Sequence, residues 1–379
     1  MITADRIAGR RVRAETMALR SVQTLTCYDS DDAGGALDVS DNINLWGAPP
    51  AALRTLTEGA SAAFNSYPST YSAQLRDAIL RYLGESTAED FDDGIGVVTG
   101  CGSDDVLDAA MRAFGEAGDE IAFAAPTFAM IPIFARLNNL EAVAMPMTST
   151  YDVDAEQLVD QRAKITYLCT PNNPTGTALS RQAVEYVAER AVGIVIIDEA
   201  YAEFAPEQFA GLAARHEHVL VTRTFSKAFG LAGLRVGYGV GSERLIDLVT
   251  RARGPYKVNA LAEAAALAAL DSGPGAVDWV MDRAAEAVEV RERMSSELRA
   301  LGFEPLPSAA NFLFVPTPRA LELARALRER GVLVRAFTGL PLDIAALSAS
   351  GGNGIRIGLG PWAMMQTVLT SLREVLECE

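Results

Sequence analysis

Between residues 94 and 222 the chain repeats one pattern: a short apolar run, turn chemistry, then a helix-length segment. The runs cover residues 94–99, 121–125, 165–169, 193–197 and 219–222. Runs so uniformly apolar suit strands covered on both faces, and strands separated by helices pair in parallel through crossovers. The sequence therefore predicts an α/β domain with a mostly parallel sheet between helices. After residues 100–105 comes a helix with Leu107, Ala110, Met111 and Phe114 on one face. In such sheets ligands gather at the carboxyl ends of the strands, so polar residues there carry the most information.

From about residue 258 the texture changes. A long Ala/Glu/Arg-rich helical stretch runs to about residue 300. After it come a strand at 311–315, a helix near 320–330, apolar segments at 332–335 and 355–358, and a final helix. This is an α+β pattern and predicts a smaller second domain. The expected division is an N-terminal arm over 1–40, a large domain over 41–257 and a small domain over 258–379.

A chain of 379 residues, 49% of them hydrophobic, can bury a sizeable core, and its length suggests two or three domains. Cys27, Cys101, Cys169 and Cys378 show no paired spacing, and His216 and His218 are the only histidines. A structural metal site is not expected, and a reducing cytoplasm is the natural compartment. The basic start of the chain is not followed by an apolar run, so no export signal is expected. The blandest stretch, 261–270, is broken by Glu263 and is too short to cross a bilayer. A formal charge of −16 argues against nucleic-acid binding, which needs a basic field. Lysine occurs only at 164, 227 and 257, the other 30 basic residues being arginine. Chemistry that needs a deprotonatable amine has three candidates.

Four strand ends carry polar residues. Pro171-Asn-Asn-Pro-Thr-Gly176 follows the run at 165–169 and also suits a plain rigid turn. Asp198 ends an apolar run and needs a partner, because an unpaired buried carboxylate is costly. Thr224-Phe-Ser-Lys227 follows the run at 219–222. Gly100-Cys-Gly-Ser-Asp104 opens a helix whose free N–H groups suit an anion, or simply a cap. Together these match the needs of pyridoxal phosphate: an amine for an imine, a carboxylate for the pyridine nitrogen, donors for the ring oxygen and a phosphate cradle.

The order Asn173-Pro-Thr-Gly176, Asp198-Glu-Ala-Tyr201 and Ser226-Lys227 with Arg235 resembles the class I/II aminotransferases of fold type I. Thr224-Phe-Ser-Lys-Ala-Phe-Gly-Leu-Ala-Gly-Leu-Arg235 is most similar to their histidinol-phosphate branch. Tyr67-Pro68, Ala125-Pro-Thr-Phe128, Ser308-Ala-Ala-Asn-Phe312, Val332-Leu-Val-Arg335 and Gly354-Ile-Arg356 extend the likeness over nearly the whole chain. The resemblance implies a seven-stranded, mostly parallel sheet and a homodimer with shared active sites. It implies pyridoxal phosphate as cofactor and an amine donor and a 2-oxo acid as substrates, histidinol phosphate and 2-oxoglutarate being the leading pair. An aromatic or other amino-acid donor, or a threonine-phosphate-type decarboxylation, is the alternative.

The same resemblance implies roles. Lys227 would form the imine with the cofactor and then move the substrate proton, while Asp198 would pair with the pyridinium. Asn173 and Tyr201 would bind the ring oxygen. Phe128 and Ala200 would flank the ring. Gly102, Ser103 and Asp104 would present amides to the phosphate, backed by Thr224, Ser226 and Arg235. Arg356 would clamp a carboxylate and Arg335 a second substrate anion. Tyr28 would touch substrate. Trp46 stands where the family often carries a tyrosine that reaches the partner's cofactor phosphate, and would offer an indole N–H or pack. Lys164 and Lys257 are expected to be solvated.

Overall fold

A computed structural model describes residues 18, 20–23, 25, 36–58, 65–87, 89, 91 and 94–377. Strand β1, Leu37–Asp38, is followed by β2, Ile95–Gly100; β3, Glu120–Ala125; β4, Glu141–Pro146; β5, Ile165–Cys169; and β6, Ile194–Asp198. Then come β7, Val219–Thr224, and β8, Gly237–Ser242. The last four are β9, Phe312–Pro316; β10, Val332–Leu333; β11, Arg335–Phe337; and β12, Gly354–Gly358.

Seven of these form one sheet in the order β2-β8-β7-β6-β5-β3-β4. β8 runs antiparallel to both neighbours and the remaining pairs are parallel. Every residue of β5 and β7 is buried, as expected for strands covered on both faces. Two apolar clusters flank the sheet. Val195, Ile197, Val219 and Val221 point into one, Ile196 and Leu220 into the other. This alternation is the period-two geometry of a strand.

Two strands of the seven-stranded sheet went unread in the sequence. β4 lies at the sheet edge with no residue buried, and its apolar run is only four residues long, Ala142 to Met145, before Pro146. β8, Gly-Tyr-Gly-Val-Gly-Ser, looks like a loop, yet its glycines mark close approach. A Cβ at Gly237 would lie 2.3 Å from Ser103 N. The glycine lets the start of β8 sit against the N-terminus of the helix Ser103–Phe114.

The predicted helical stretch beyond residue 258 is two helices, Ala260–Ala269 and Val277–Ala300. The first packs on the helix Pro50–Glu58 and joins the larger apolar cluster. A three-stranded antiparallel sheet, β11-β12-β9, carries the remainder, and β1 pairs in parallel with β10. A third cluster gathers Val39 with residues between Val290 and Val375. The segment just before residue 41 is thereby anchored on the C-terminal part of the chain. Among the described residues no helix is long and apolar enough to cross a membrane, and no group of His, Cys, Asp and Glu could hold a metal.

Candidate active site

A cavity opens at the carboxyl ends of β5, β6 and β7, where an α/β sheet offers its strand ends. Its floor is the end of β6. Asp198 is 3% exposed and accepts from Tyr167 Oη at 2.8 Å, from the Ala200 amide at 3.2 Å and from Thr222 Oγ1 at 3.4 Å. All three donors are neutral. Burial therefore wins, and the Asp198 carboxyl is pushed up to about 6 although Tyr167 pulls it down.

Lys227 follows β7 and reaches into the same cavity. Its Nζ donates to the Asp41 carbonyl at 3.0 Å and lies 5.7 Å from the Tyr201 ring centroid. Burial, with the positive charge of Arg356, lowers the amine to about 8. About a tenth of it is then neutral at pH 7. Of the other lysines, Lys164 is exposed, as expected. Lys257 is half-buried and pairs with Asp105, its amine 2.8 Å from the carboxylate, and it does not line the cavity.

The loop after β5 divides its work between two asparagines. Asn172 knits the turn, donating to Pro126 O at 2.9 Å and Thr175 Oγ1 at 2.8 Å, while the Gly176 amide donates to its carbonyl at 2.7 Å. This frees Asn173 to face the cavity, where its Oδ1 accepts from Arg356 Nη1 at 2.6 Å. Arg356 also donates to Ser40 O at 2.6 Å and lies between the rings of Phe312 and Phe337, 5.4 and 5.3 Å from their centroids. One guanidinium thus joins β12, the loop after β5 and the segment before residue 41.

At the opposite wall the helix Ser103–Phe114 begins without a side-chain cap, Gly102 standing at its N-cap with φ 80°. That positive φ favours glycine, and a Cβ there would also lie 2.6 Å from Nη2 of Arg235, which covers the helix end. Arg235, itself left-handed at φ 55°, donates to Ser226 Oγ at 3.4 Å, and Ser226 N donates to Thr224 Oγ1 at 3.1 Å. Free amides, two hydroxyls and a guanidinium form an anion cradle.

The structure brings Ser103, Asp104, Phe128, Asn173, Asp198, Ala200, Tyr201, Thr224, Ser226, Lys227, Arg235 and Arg356 together in the lining of this cavity. Gly102 adjoins it through Arg235. Trp46 and Arg335 do not line it. Trp46 packs half-buried between the larger apolar cluster and the C-terminal one, its indole Nε1 buried without an acceptor. Arg335 pairs across β11–β12 with Arg356 itself. Tyr28 lies outside the described residues.

Four contributors were missed. Asp41 and Asn42 line the cavity and touch Lys227 and Tyr201. Cys169 lines it too, its thiol pushed up to about 12 by burial and Asp198. Tyr167 looked like one more residue of an apolar run. A tyrosine at alternate position to the last strand residue, beside a strand ending in Asp, was the available signal.

Fold and site together define an enzyme of amino-group chemistry, and comparison with known proteins agrees. The family described as aminotransferase class I and II matches residues 35–372. A histidinol-phosphate aminotransferase of Roseiflexus castenholzii is 37% identical over 347 residues, covering 88% of each chain. An aromatic amino acid aminotransferase of Corynebacterium efficiens is 37% identical over 322 residues, 82% of this chain and 89% of that one. The crystal structure of histidinol-phosphate aminotransferase from Sinorhizobium meliloti in complex with pyridoxal-5'-phosphate superposes with a TM-score of 0.80 at 24% identity. That match covers 95% of this chain and 98% of the other, and shows the shared fold. The chain belongs to the class I and II aminotransferase family and is an aminotransferase.

Proposed function

We propose that this aminotransferase uses pyridoxal phosphate to move the amino group of histidinol phosphate to 2-oxoglutarate, as a cytoplasmic homodimer. The observation that carries the cofactor assignment is Asp198, a buried carboxylate answered only by neutral donors beside a lysine amine lowered to about 8. A cationic ring nitrogen would relieve that carboxylate, and the anion cradle at Gly102 and Arg235 suits a phosphate. The residues present fit the cofactor.

Pyridoxal phosphate, when bound, supplies a carbonyl carbon for the amine and an electron-withdrawing ring that loosens the Cα–H bond. Asp198 would hold the ring N–H, and Asn173 and Tyr201 the ring oxygen. Phe128 and Ala200 would flank the ring. Gly102, Ser103, Asp104, Thr224, Ser226 and Arg235 would hold the phosphate. Tyr201 keeps its proton, because burial pushes its phenol up to about 12, and so acts as a donor. Lys227 Nζ takes and returns the proton at Cα, a role that its lowered basicity suits near neutral pH. Arg356, fixed on two sides and flanked by two rings, would orient the substrate anion.

Relatives at 31–37% identity that carry the histidinol-phosphate name support the donor, and the Corynebacterium efficiens relative supports an aromatic amino acid as second reading. Holoenzyme mixed with single donors decides. Histidinol phosphate should convert the cofactor's visible absorbance to that of the amine form. Conversion by phenylalanine alone would replace the donor, and release of carbon dioxide would make the enzyme a decarboxylase.

A further inference from the structure

We propose that Asn42 is a positioning residue for Tyr201: by donating to the phenolic oxygen, it turns the phenolic proton toward the cavity. The proposal rests on the cofactor reading above. Asn42 is 2% exposed and its φ is 53°, a left-handed conformation that Asn tolerates better than most residues. Its Nδ2 donates to Tyr201 Oη at 3.1 Å across 159 positions of sequence. Its carbonyl accepts from Asn311 Nδ2 at 3.1 Å, just ahead of β9, while the neighbouring Asp41 carbonyl accepts from Lys227. Residues 41 and 42 are thus tied to the lysine, the tyrosine and the three-stranded sheet at once.

A phenol has one proton and two acceptor sites. An acceptor at position 42 would claim the proton, and a donor leaves it free. With Asn42 Nδ2 on the oxygen, Tyr201 can donate into the cavity, where the ring oxygen of the cofactor would receive it. A donor there withdraws charge from that oxygen and weakens the hold on the proton at Lys227 Nζ. Asn42 would therefore help to set the pH at which the lysine-bound cofactor loses its proton, without touching the reacting atoms.

The test is a pH titration of the visible absorbance of the holoenzyme, with cofactor affinity measured alongside. Asn42→Asp keeps the shape and the left-handed backbone but accepts the phenolic proton, so the midpoint should rise by about one pH unit or more. Asn42→Gly, also at ease at this φ, should raise it by less. In a Tyr201→Phe background, Asn42→Asp should add no further shift. An equal shift in both backgrounds would mean that the new carboxylate acts by charge alone, and would overturn the proposal. So would an unchanged midpoint in Asn42→Gly. A wild type that takes up no pyridoxal phosphate would overturn the cofactor reading and this one with it, which the wild-type titration alone reveals.

Discussion

Asp198 and Glu199 stand side by side at the end of β6, 3% and 1% exposed, on opposite faces of the sheet. Glu199 lies on the face of the larger apolar cluster. There Arg223, itself 1% exposed, donates to its Oε2 through Nε at 2.9 Å and Nη2 at 2.7 Å, and the Phe209 amide donates to Oε1 at 2.5 Å. Burial alone would make the guanidinium easier to deprotonate, yet Glu199 and its neighbours hold Arg223 well above the usual range. Asp198, on the cavity side, meets two hydroxyls and an amide, and no charged partner, among the described residues. The protein answers one carboxylate with a full charge of its own and the other with neutral donors. Glu199 serves the fold, and under the proposed function Asp198 serves the ligand.

Three substitutions would break or sharpen that contrast. The largest effect is expected from Asp198→Asn. Loss of the carboxylate should lower the transamination rate about 10²–10⁴-fold in steady-state kinetics, with the fold intact by circular dichroism. A variant of near-normal rate would remove Asp198 from the chemistry. Next comes Arg223→Met, which strands Glu199 without its counter-charge and should cost about 3–5 kcal/mol in denaturant unfolding. The double variant Glu199→Leu/Arg223→Met should recover most of the loss. If the double variant is as unstable as the single one, packing rather than charge explains the pair.

The smallest effect is a pH dependence. Because the Asp198 carboxyl is raised to about 6 in the folded protein, folded cofactor-free enzyme binds its proton more tightly than the unfolded chain does. Its contribution to stability is present at about pH 4, declines as pH climbs to about 6, and is then flat. Wild type should therefore lose about 3 kcal/mol relative to Asp198→Asn over that interval. Parallel stability curves for the two cofactor-free proteins would show that Asp198 is already compensated and would erase its contrast with Glu199.

Much of the large sheet was legible because β2, β3, β5, β6 and β7 are apolar on both faces, and such runs announce themselves. β4 and β8 were not, one being an exposed edge and the other half glycine. The cavity was legible where its residues follow strands, as Asp198, Lys227 and Asn173 do, because strand ends in a parallel sheet converge. Asp41 and Asn42 were illegible for the opposite reason. They lie in a segment of no regular structure, and their partners Lys227 and Tyr201 are 186 and 159 positions away.

The amino-acid order by itself determined the chemical inventory: one lysine after a buried strand, one carboxylate at a strand end, a glycine-flanked helix start and the arginines able to meet an anion. Those follow from residue type and from periodicities of two and 3.6, which are local. Only the tertiary structure decided who meets whom. The order β2-β8-β7-β6-β5-β3-β4 and the return of β12 to place Arg356 against Asn173 depend on crossovers and long-range packing. No short window of sequence contains that information, since the energy of such contacts is realised only when distant surfaces close on each other.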